Sequence, residues 1–262
     1  MPDYLWAFEK GLTIRDMADK HCGKDWVVSL DIKDYFPSIK QRHVLSTLED
    51  FGISGWAGKL ISEIVTYKAK VPQGALTSPK ISNMVTATTF GPQVHDLCEL
   101  LGIVLTVYAD DITMSFDYSE DLFDKVASEY QLWHPSHPVP EARSGKSICM
   151  MLIYLIYKIL HSHGFKANRD KTKVMGPGIR HWVCGVVTNE KTNLMRSQRS
   201  FLRAVVHNIT INGVECEARK TGNGPETFLL SIKGKISWFA QINPEAAHKL
   251  LNKLNAYLES NR

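Results

Sequence analysis

The sequence lacks the features that define several large classes of protein. Its longest apolar stretch, Ile148–Leu160, has 13 residues, whereas a membrane-spanning helix needs about 20. There is no internal repeat, no low-complexity tract and no secretory signal at the N-terminus. The cysteines form no Cys-x-x-Cys pair, which excludes a zinc site or disulfide framework and favours a reducing cytoplasm. The five are Cys22, Cys98, Cys149, Cys184 and Cys216.

No strong excess of either charge is present, because 31 Lys and Arg face 27 Asp and Glu among 262 residues. The distribution is uneven, however. Residues 1–163 carry 15 basic and 20 acidic side chains, and residues 164–262 carry 16 basic and 7 acidic ones. Such asymmetry is typical of a protein that holds metal ions with one part and a polyanion with another, although proteins that bind no nucleic acid also show it. With 44% hydrophobic residues, the chain is predicted to form one large domain or two small ones.

Periodicity and turn signals predict a mixed α/β body and a mostly helical basic tail, with a boundary near residue 195. Three short strands are expected, and the last two form a hairpin around Tyr108-Ala109-Asp110-Asp111. The segments are strands Val27–Leu30, Ile103–Val107 and Ile112–Phe116; a loop at Val71–Thr77; helices Gln41–Tyr67 (interrupted near Gly52–Gly55), Pro79–Leu101, Asp121–Trp133 and Ile148–His163; a polar loop at His134–Lys146; a β-rich run at Trp182–Val187 paired around Thr192–Met195; and helices Ser197–Asn208, Pro225–Ile242 and Pro244–Leu258.

Three acidic residues stand where these strands end, namely Asp31, Asp110 and Asp111. Crowded carboxylates repel one another unless a divalent cation neutralises them. Magnesium suits such a site, and two ions together can clamp the attacking and leaving oxygens of a phosphoryl transfer. The pair Asp110-Asp111 is equally compatible with an ordinary polar turn, where Asp is favoured.

Five segments together resemble the ordered motifs A to E of reverse transcriptases, and most closely those of bacterial retron-type enzymes. They are VVSLDIKDYFPSI (27–39), VPQGALTSPKISN (71–83), VYADDITMSF (107–116), GFKANRDKTKV (164–174) and WVCGVV (182–187). The resemblance implies an α+β fold, a right-hand polymerase palm of antiparallel sheet and packed helices followed by a mostly helical thumb. The palm would cover residues 1–195 and the thumb 196–262. Only seven residues precede Phe8, so we expect most of the N-terminal fingers to be missing through truncation, a late start or genuine reduction.

The same resemblance implies roles for individual residues. The metal-binding carboxylates would be Asp31, Asp110 and Asp111, joined by the carbonyl of Ile32. Residues at the incoming nucleotide would be Asp34 and Tyr35 through their backbone amides, Phe36 as the steric gate under the sugar, Gln73 and Gly74 in the loop, and Asn168 positioning the loop of Lys171, which protonates the departing pyrophosphate. The primer grip would be Val183, Cys184 and Gly185, where retron-type enzymes tend to carry Thr before the glycine.

The tail adds a predicted nucleic-acid surface. Arg196, Arg199, Arg203 and His207 recur at helical spacing and share one face, while Leu202, Val205 and Val206 lie toward another. Such a basic stripe fits a thumb helix that follows the phosphates of an RNA–DNA duplex, and it also fits a solvated surface. Lys233 and Lys235 on a second helix are expected to contribute in the same way.

Three functions follow as hypotheses. The first is a retron-type RNA-directed DNA polymerase, a nucleotidyltransferase that uses two Mg²⁺ ions, with Mn²⁺ as a substitute. Its partners would be a cognate noncoding RNA, an RNA–DNA duplex, dNTPs and an effector protein in antiviral defence, in a bacterial cytoplasm and with no membrane partner. The second is another defence-associated or intron-type reverse transcriptase, the intron type being disfavoured by the short C-terminal part. The third is a truncated RNA-binding scaffold without polymerase activity.

Overall fold

The computed structural model describes residues 1–261, and its contacts divide the chain into two units. The first unit contains Met1–Leu12 and Gly23–His181, and the second contains Thr13–Cys22 and residues 182–261. This division differs from the sequence-based boundary near 195. The reason is that the run after His181 forms a small hairpin that contacts a short helix near the N-terminus. The sequence analysis did not predict this helix, which also contacts the later helix Pro225–Ile242.

A four-stranded antiparallel sheet forms the centre of the first unit, in the order β2-β3-β1-β4. The middle strands are lined by Val28, Leu30, Ile112 and Met114, each with less than 1% of its surface exposed. This burial explains the apolar runs by which three of the strands could be predicted. The strands are β1 (Trp26–Ile32), β2 (Val104–Tyr108), β3 (Asp111–Phe116) and β4 (Ala167–Met175).

Helices pack against this sheet and against one another. The most apolar helix, Gly145–Ser162, contacts β1 and β4, and the helix Phe90–Leu101 contacts β2. The predicted interruption near Gly52–Gly55 and the hairpin between β2 and β3 are confirmed. In the first unit the helices are α2 (Tyr35–Ser38), α3 (Gln41–Asp50), α4 (Gly55–Ile64), α5 (Ser78–Thr88), α6 (Phe90–Leu101), α7 (Glu120–Trp133) and α8 (Gly145–Ser162); the short N-terminal helix α1 (Ile14–Asp19) belongs to the second unit.

The long helix predicted over Pro79–Leu101 is wrong, because the structure breaks it into α5 and α6 at Thr89. Thr89 has φ −112° and ψ −109°, outside the helical region. The cause lies three residues later: Pro92 has no N–H to give to the carbonyl of Thr88, and its ring would clash with that carbonyl in a continuous helix. Thr89 instead donates its hydroxyl hydrogen to the Val85 carbonyl at 2.6 Å.

The second unit is mostly helical, with one small hairpin. Its two strands join through Cys184 and Gly185, and Val187 also bridges to Asn193, as the pairing with residues 192–195 predicted. No helix within residues 1–261 is long and apolar enough to cross a membrane. The elements are β5 (Trp182–Val183), β6 (Val186–Val187), α9 (Arg196–Asn212), α10 (Val214–Arg219), α11 (Pro225–Ile242) and α12 (Pro244–Ser260).

Candidate active site

The backbone pairing of β1 with β3 brings the three aspartates to one edge of the sheet. Asp31 lies directly opposite Asp111, and the amide of Ile32 donates to the carbonyl of Asp110 at 2.9 Å. Asp110 follows Ala109 in the two-residue loop of the β2–β3 hairpin. Residues about 80 positions apart in the sequence are therefore neighbours because the central strand pair is in this register.

Sequence analysis did not single out Ala109, which lies at the tip of this hairpin. Its φ is +55°, in the left-handed region that residues with a Cβ rarely enter. The two-residue loop needs this conformation to reverse the chain and to present both following carboxylates. The only sequence signal was the position of Ala109 between a strand and two acidic residues.

Burial and mutual repulsion change the ionisation of these carboxyl groups. Burial and then the neighbouring charges of Asp110 and Asp31 raise the pKa of Asp111 to about 6. Burial, followed by the charge of Asp31, also raises the pKa of Asp110. Asp31 itself is only 7% exposed. The group therefore carries more negative charge than its surroundings neutralise, which is the condition under which a bound cation is favourable.

Lys171 supplies part of the missing positive charge. Its ammonium lies 2.8 Å from Oδ2 of Asp31, and this hydrogen bond and charge raise the pKa of Lys171. A bulge in β4 makes the contact possible. Ser29 and Asp31 are two positions apart on β1, whereas their partners on β4, Lys173 and Asn168, are five positions apart. The extra residues of β4 between these pairs redirect Lys171 toward the sheet edge. The predicted residues Asn168 and Lys171 are thus both brought to the carboxylates.

The donor set fits a divalent cation chemically, since carboxylate oxygens are the ligands that Mg²⁺ prefers. Across residues 1–261, however, no group of three or more His, Cys, Asp or Glu side chains is arranged to hold a metal ion. The expected metal-binding residues Asp31, Ile32, Asp110 and Asp111 lie at one edge of the sheet. The side chains of the described residues do not converge on one point as ligands of a bound ion would. In this arrangement the ammonium of Lys171 occupies one carboxylate oxygen of Asp31.

The residues that follow β1, from Asp34 to Phe36, differ in how far their side chains are buried. Asp34 is exposed and has φ +50°, so its backbone turns sharply into α2. Tyr35 is buried, and its hydroxyl donates to the Ser82 carbonyl at 3.0 Å and lies 2.6 Å from Thr86 Oγ1. Its side chain is therefore part of the core, which leaves only its backbone amide for the predicted role. Phe36 is half-buried and packs its ring against that of Tyr35, with ring centres 5.4 Å apart.

The predicted nucleotide loop lies in the first unit. Gln73 and Gly74 are exposed in a turn, and Gly74 has φ +89°, a conformation that favours glycine. The hydroxyl of Ser78 donates to the Pro72 carbonyl at 2.5 Å and ties the loop to the start of α5.

The predicted primer-grip and backbone-contact residues lie in the second unit. Cys184 and Gly185 have φ +46° and +82°, which gives the type I′ turn typical of two-residue hairpins. Val183 is buried. The remaining residues are Arg196 and Arg203, which are exposed on α9; Arg199, whose Nε is buried with no hydrogen-bond partner among the described residues; Lys233, which is half-buried on α11; and Lys235, whose ammonium lies 5.1 Å from the ring centre of Phe201.

Lys173 is a residue that sequence analysis missed. Its charge lowers the pKa of Asp111, in the same direction as that of Lys171. The signal was the alternation Lys171-Thr172-Lys173, which places two cations along one strand.

Comparison with known proteins gives a consistent picture. Residues 1–202 match the family model described as reverse transcriptase (RNA-dependent DNA polymerase). The chain is 26% identical to the retron Ec86 reverse transcriptase of Escherichia coli, over 94% of this chain and 70% of that protein. It is 28% identical to the retron Mx162 reverse transcriptase of Myxococcus xanthus, over 95% of this chain and 51% of that protein. It is 27% identical to the retron Mx65 reverse transcriptase of the same organism, over 94% of this chain and 53% of that protein.

The chain spans about half the length of the two Myxococcus relatives. Among solved structures, telomerase from Candida albicans in complex with a TWJ fragment of telomeric RNA aligns with a TM-score of 0.47 and 12% identity, over 97% of this chain and 52% of that one.

Proposed function

Because the chain belongs to the reverse transcriptase family, we propose that it is an RNA-directed DNA polymerase of the retron type. In this proposal it extends the 3′-hydroxyl of a primer with dNTPs on an RNA template. The observation that carries the proposal is the meeting of Asp31, Asp110 and Asp111 at one edge of the β1–β3 strand pair. The retron reverse transcriptases to which the chain is similar supply the substrate class.

Members of this family generally use divalent metal ions, and we propose Mg²⁺ here, with Mn²⁺ as a substitute. Asp31, Asp110, Asp111 and the Ile32 carbonyl would hold the ions. When bound, they would activate the attacking hydroxyl and neutralise charge on the phosphates. The raised pKa values of Asp110 and Asp111 support this assignment, because burial is the largest cause of both and neighbouring carboxylates add to it, and a bound cation would offset both effects.

The protein's own side chains have the remaining roles in the proposed reaction. Lys171, released from Asp31, would give a proton to the departing pyrophosphate, and Asn168 would hold its loop. The backbone amides of Asp34 and Tyr35 would face the triphosphate. Phe36 would exclude a 2′-hydroxyl, because its ring is held against that of Tyr35 and cannot easily move aside.

Other contacts would position the substrates. Gln73 and Gly74 would lie against the nucleotide, and Val183, Cys184 and Gly185 would grip the primer end. Arg196, Arg199, Arg203, Lys233 and Lys235 would contact nucleic-acid phosphates. The cognate partner is proposed to be a structured noncoding RNA, with an effector protein in antiviral defence. The wide spacing of the cysteines supports a location in the bacterial cytoplasm.

Primer extension on an RNA template tests the proposal. The wild-type chain should add dNTPs in the presence of Mg²⁺, and Asp110→Asn should abolish addition. Asp50→Asn, an exposed aspartate at the end of α3, is the matched control and should behave as wild type. Binding of RNA without any extension by the wild-type chain would favour the scaffold hypothesis instead. Extension without a supplied primer would favour a defence-associated enzyme of another type.

A further inference from the structure

A basic cavity opens in the first unit where α8 ends and β4 begins. Its volume is about 280 Å³. Three of its lining residues carry basic side chains and none carries a carboxylate, so an anion can enter without meeting a like charge. The lining residues are Tyr157, His161, Phe165, Lys166, Ala167 and Arg169.

Arg169 is held in place within this cavity. Its guanidinium lies 5.9 Å from the ring centre of Tyr157, and the hydroxyl of Tyr157 is 2.6 Å from Oγ1 of Thr172. Thr172 in turn donates to the Asn168 carbonyl at 3.1 Å. At this distance the ring makes a weak cation–π contact, and the planar guanidinium presents N–H groups that match the oxygens of a phosphate.

The basic groups of the cavity are not neutralised by the protein. Within residues 1–261, neither Lys166 nor Arg169 forms an ion pair with a carboxylate. Both side chains are exposed. This is notable because residues 1–163 carry more acidic than basic side chains, so partners for surface cations are plentiful elsewhere in the same unit.

Positive charge continues beyond the cavity toward α3. A Cβ at Gly164 would lie 4.0 Å from Nη2 of Arg42 and 4.0 Å from Nε2 of His43. Burial, and then the charges of Arg42, Lys40 and His163, lower the pKa of His43. Arg42 donates from Nε to Nε2 of His43 at 3.4 Å, so the imidazole acts as an acceptor and Arg42 carries the positive charge of this pair.

We propose that this cavity binds a backbone phosphate of an RNA strand, and that Arg42 contacts a neighbouring phosphate of the same strand. The row of cations extends past the cavity, which suits a chain of phosphates better than a single small anion. The choice of RNA rests on the proposed function. Asp31, Asp110 and Asp111 do not line the cavity. The cavity adjoins them, because its residue Ala167 pairs with Ile32 and the next residue, Asn168, pairs with Asp31.

The salt dependence of RNA binding tests this proposal. The probe is a fluorescein-labelled oligouridylate of about 12 nucleotides, followed by fluorescence anisotropy from about 50 to about 200 mM KCl. Lys166→Gln/Arg169→Gln should weaken binding about tenfold at the low-salt end and make the slope of log K against log salt less negative by about 1 to 2. Lys166→Arg/Arg169→Lys should keep the wild-type slope.

Lys146→Gln is the matched control, since Lys146 is exposed near the opposite end of α8 and should leave the affinity and slope unchanged. If the double variant does not fold, the single variant Lys166→Gln should still lower the slope by about 1. A wild-type affinity and slope in the variants would overturn the proposal. An unchanged slope together with loss of sodium pyrophosphate binding in the variants would also overturn it, because the cavity would then take a free polyphosphate and not RNA.

Failure of the proposed function would look different. If the wild-type chain extends no primer but the double variant still loses salt-dependent binding, the cavity binds RNA and the polymerase assignment is wrong. If extension is normal and RNA binding is unaffected by the substitutions, the polymerase assignment stands and the cavity has no such role.

Discussion

Asp111 lies half-buried beside two other carboxylates, and this position costs the protein stability. Its pKa is raised from 3.8 to about 6, with burial as the largest cause. A carboxyl group whose pKa is higher in the folded state binds its proton more tightly there. Its contribution to stability is therefore complete below the unfolded pKa and is lost as the pH rises through about 6.

Asp111→Asn should consequently stabilise the protein at neutral pH. We expect the free energy of unfolding to rise by about 1 to 2 kcal/mol near pH 7.5, and the gain to shrink toward zero near pH 4. Urea denaturation at several pH values measures this. Asp50→Asn should change the free energy by less than about 0.5 kcal/mol. An Asp111→Asn variant that is equally or less stable than wild type near neutrality would contradict the electrostatic account.

Lys171 should compete with a divalent cation for Asp31, because both need the same carboxylate oxygen. Its side chain is 62% exposed, so the ion pair contributes about 1 kcal/mol at most. Lys171→Gln should therefore bind Mn²⁺ about fivefold more tightly in the absence of nucleic acid, as measured by electron paramagnetic resonance.

The same variant should add nucleotides about 100-fold more slowly, because its proton donor is lost. Lys146→Gln should alter neither quantity. An unchanged Mn²⁺ affinity in Lys171→Gln would show that the ion pair does not compete with the metal.

At the scale of elements, the β5–β6 turn and α11 contain glycines in opposite situations. Gly185 has φ +82° and no atom near the position of a Cβ, so only backbone strain opposes a side chain there. Gly234 lies within α11, also in open space, without a positive φ. Because neither position is crowded, comparing them isolates the effect of backbone strain from that of steric contact.

Gly185→Ala should lower the free energy of unfolding by about 1 kcal/mol, because alanine is strained at positive φ. Gly234→Ala should raise it by about 0.5 to 1 kcal/mol, because alanine is the better helix former. Thermal unfolding followed by circular dichroism compares the two. Changes of the same sign in both variants would show that the turn does not have the conformation described.

Elements with strong local signals could be predicted from the sequence, and those with competing signals could not. The β2–β3 hairpin was recognisable because alternating apolar residues flank a short acidic turn. The break between α5 and α6 was not predicted, although Pro92 is a helix-breaking residue, because the helical spacing of apolar residues continues across the break. No strand was predicted at β4, and its residues were recognised only as part of a sequence motif, because these exposed, charged residues lack the apolar pattern of a strand.

For the molecule as a whole, the sequence predicted the α+β class and the placement of three aspartates where strands end, but not the surroundings of these aspartates. The ion pair of Lys171 with Asp31 joins residues 140 positions apart and depends on a bulge that no local pattern reveals. The basic cavity was missed for a similar reason, because its residues His161 and Arg169 lie on different elements, α8 and β4, and Arg42 approaches from α3. The boundary between the two units depends on how the β5–β6 hairpin packs, and the amino-acid composition gives no information about this packing.

The central claim is that Asp31, Asp110 and Asp111 form a polymerase centre directed by an RNA template. Its most direct test is addition of a single nucleotide to a primer paired with four RNA templates that differ only in the first unpaired base. Each dNTP is supplied alone with Mg²⁺. The wild-type chain should add only the complementary dNTP on each template, and Asp110→Asn should add none. Addition that ignores the template base, or equal addition by Asp110→Asn, would contradict the account.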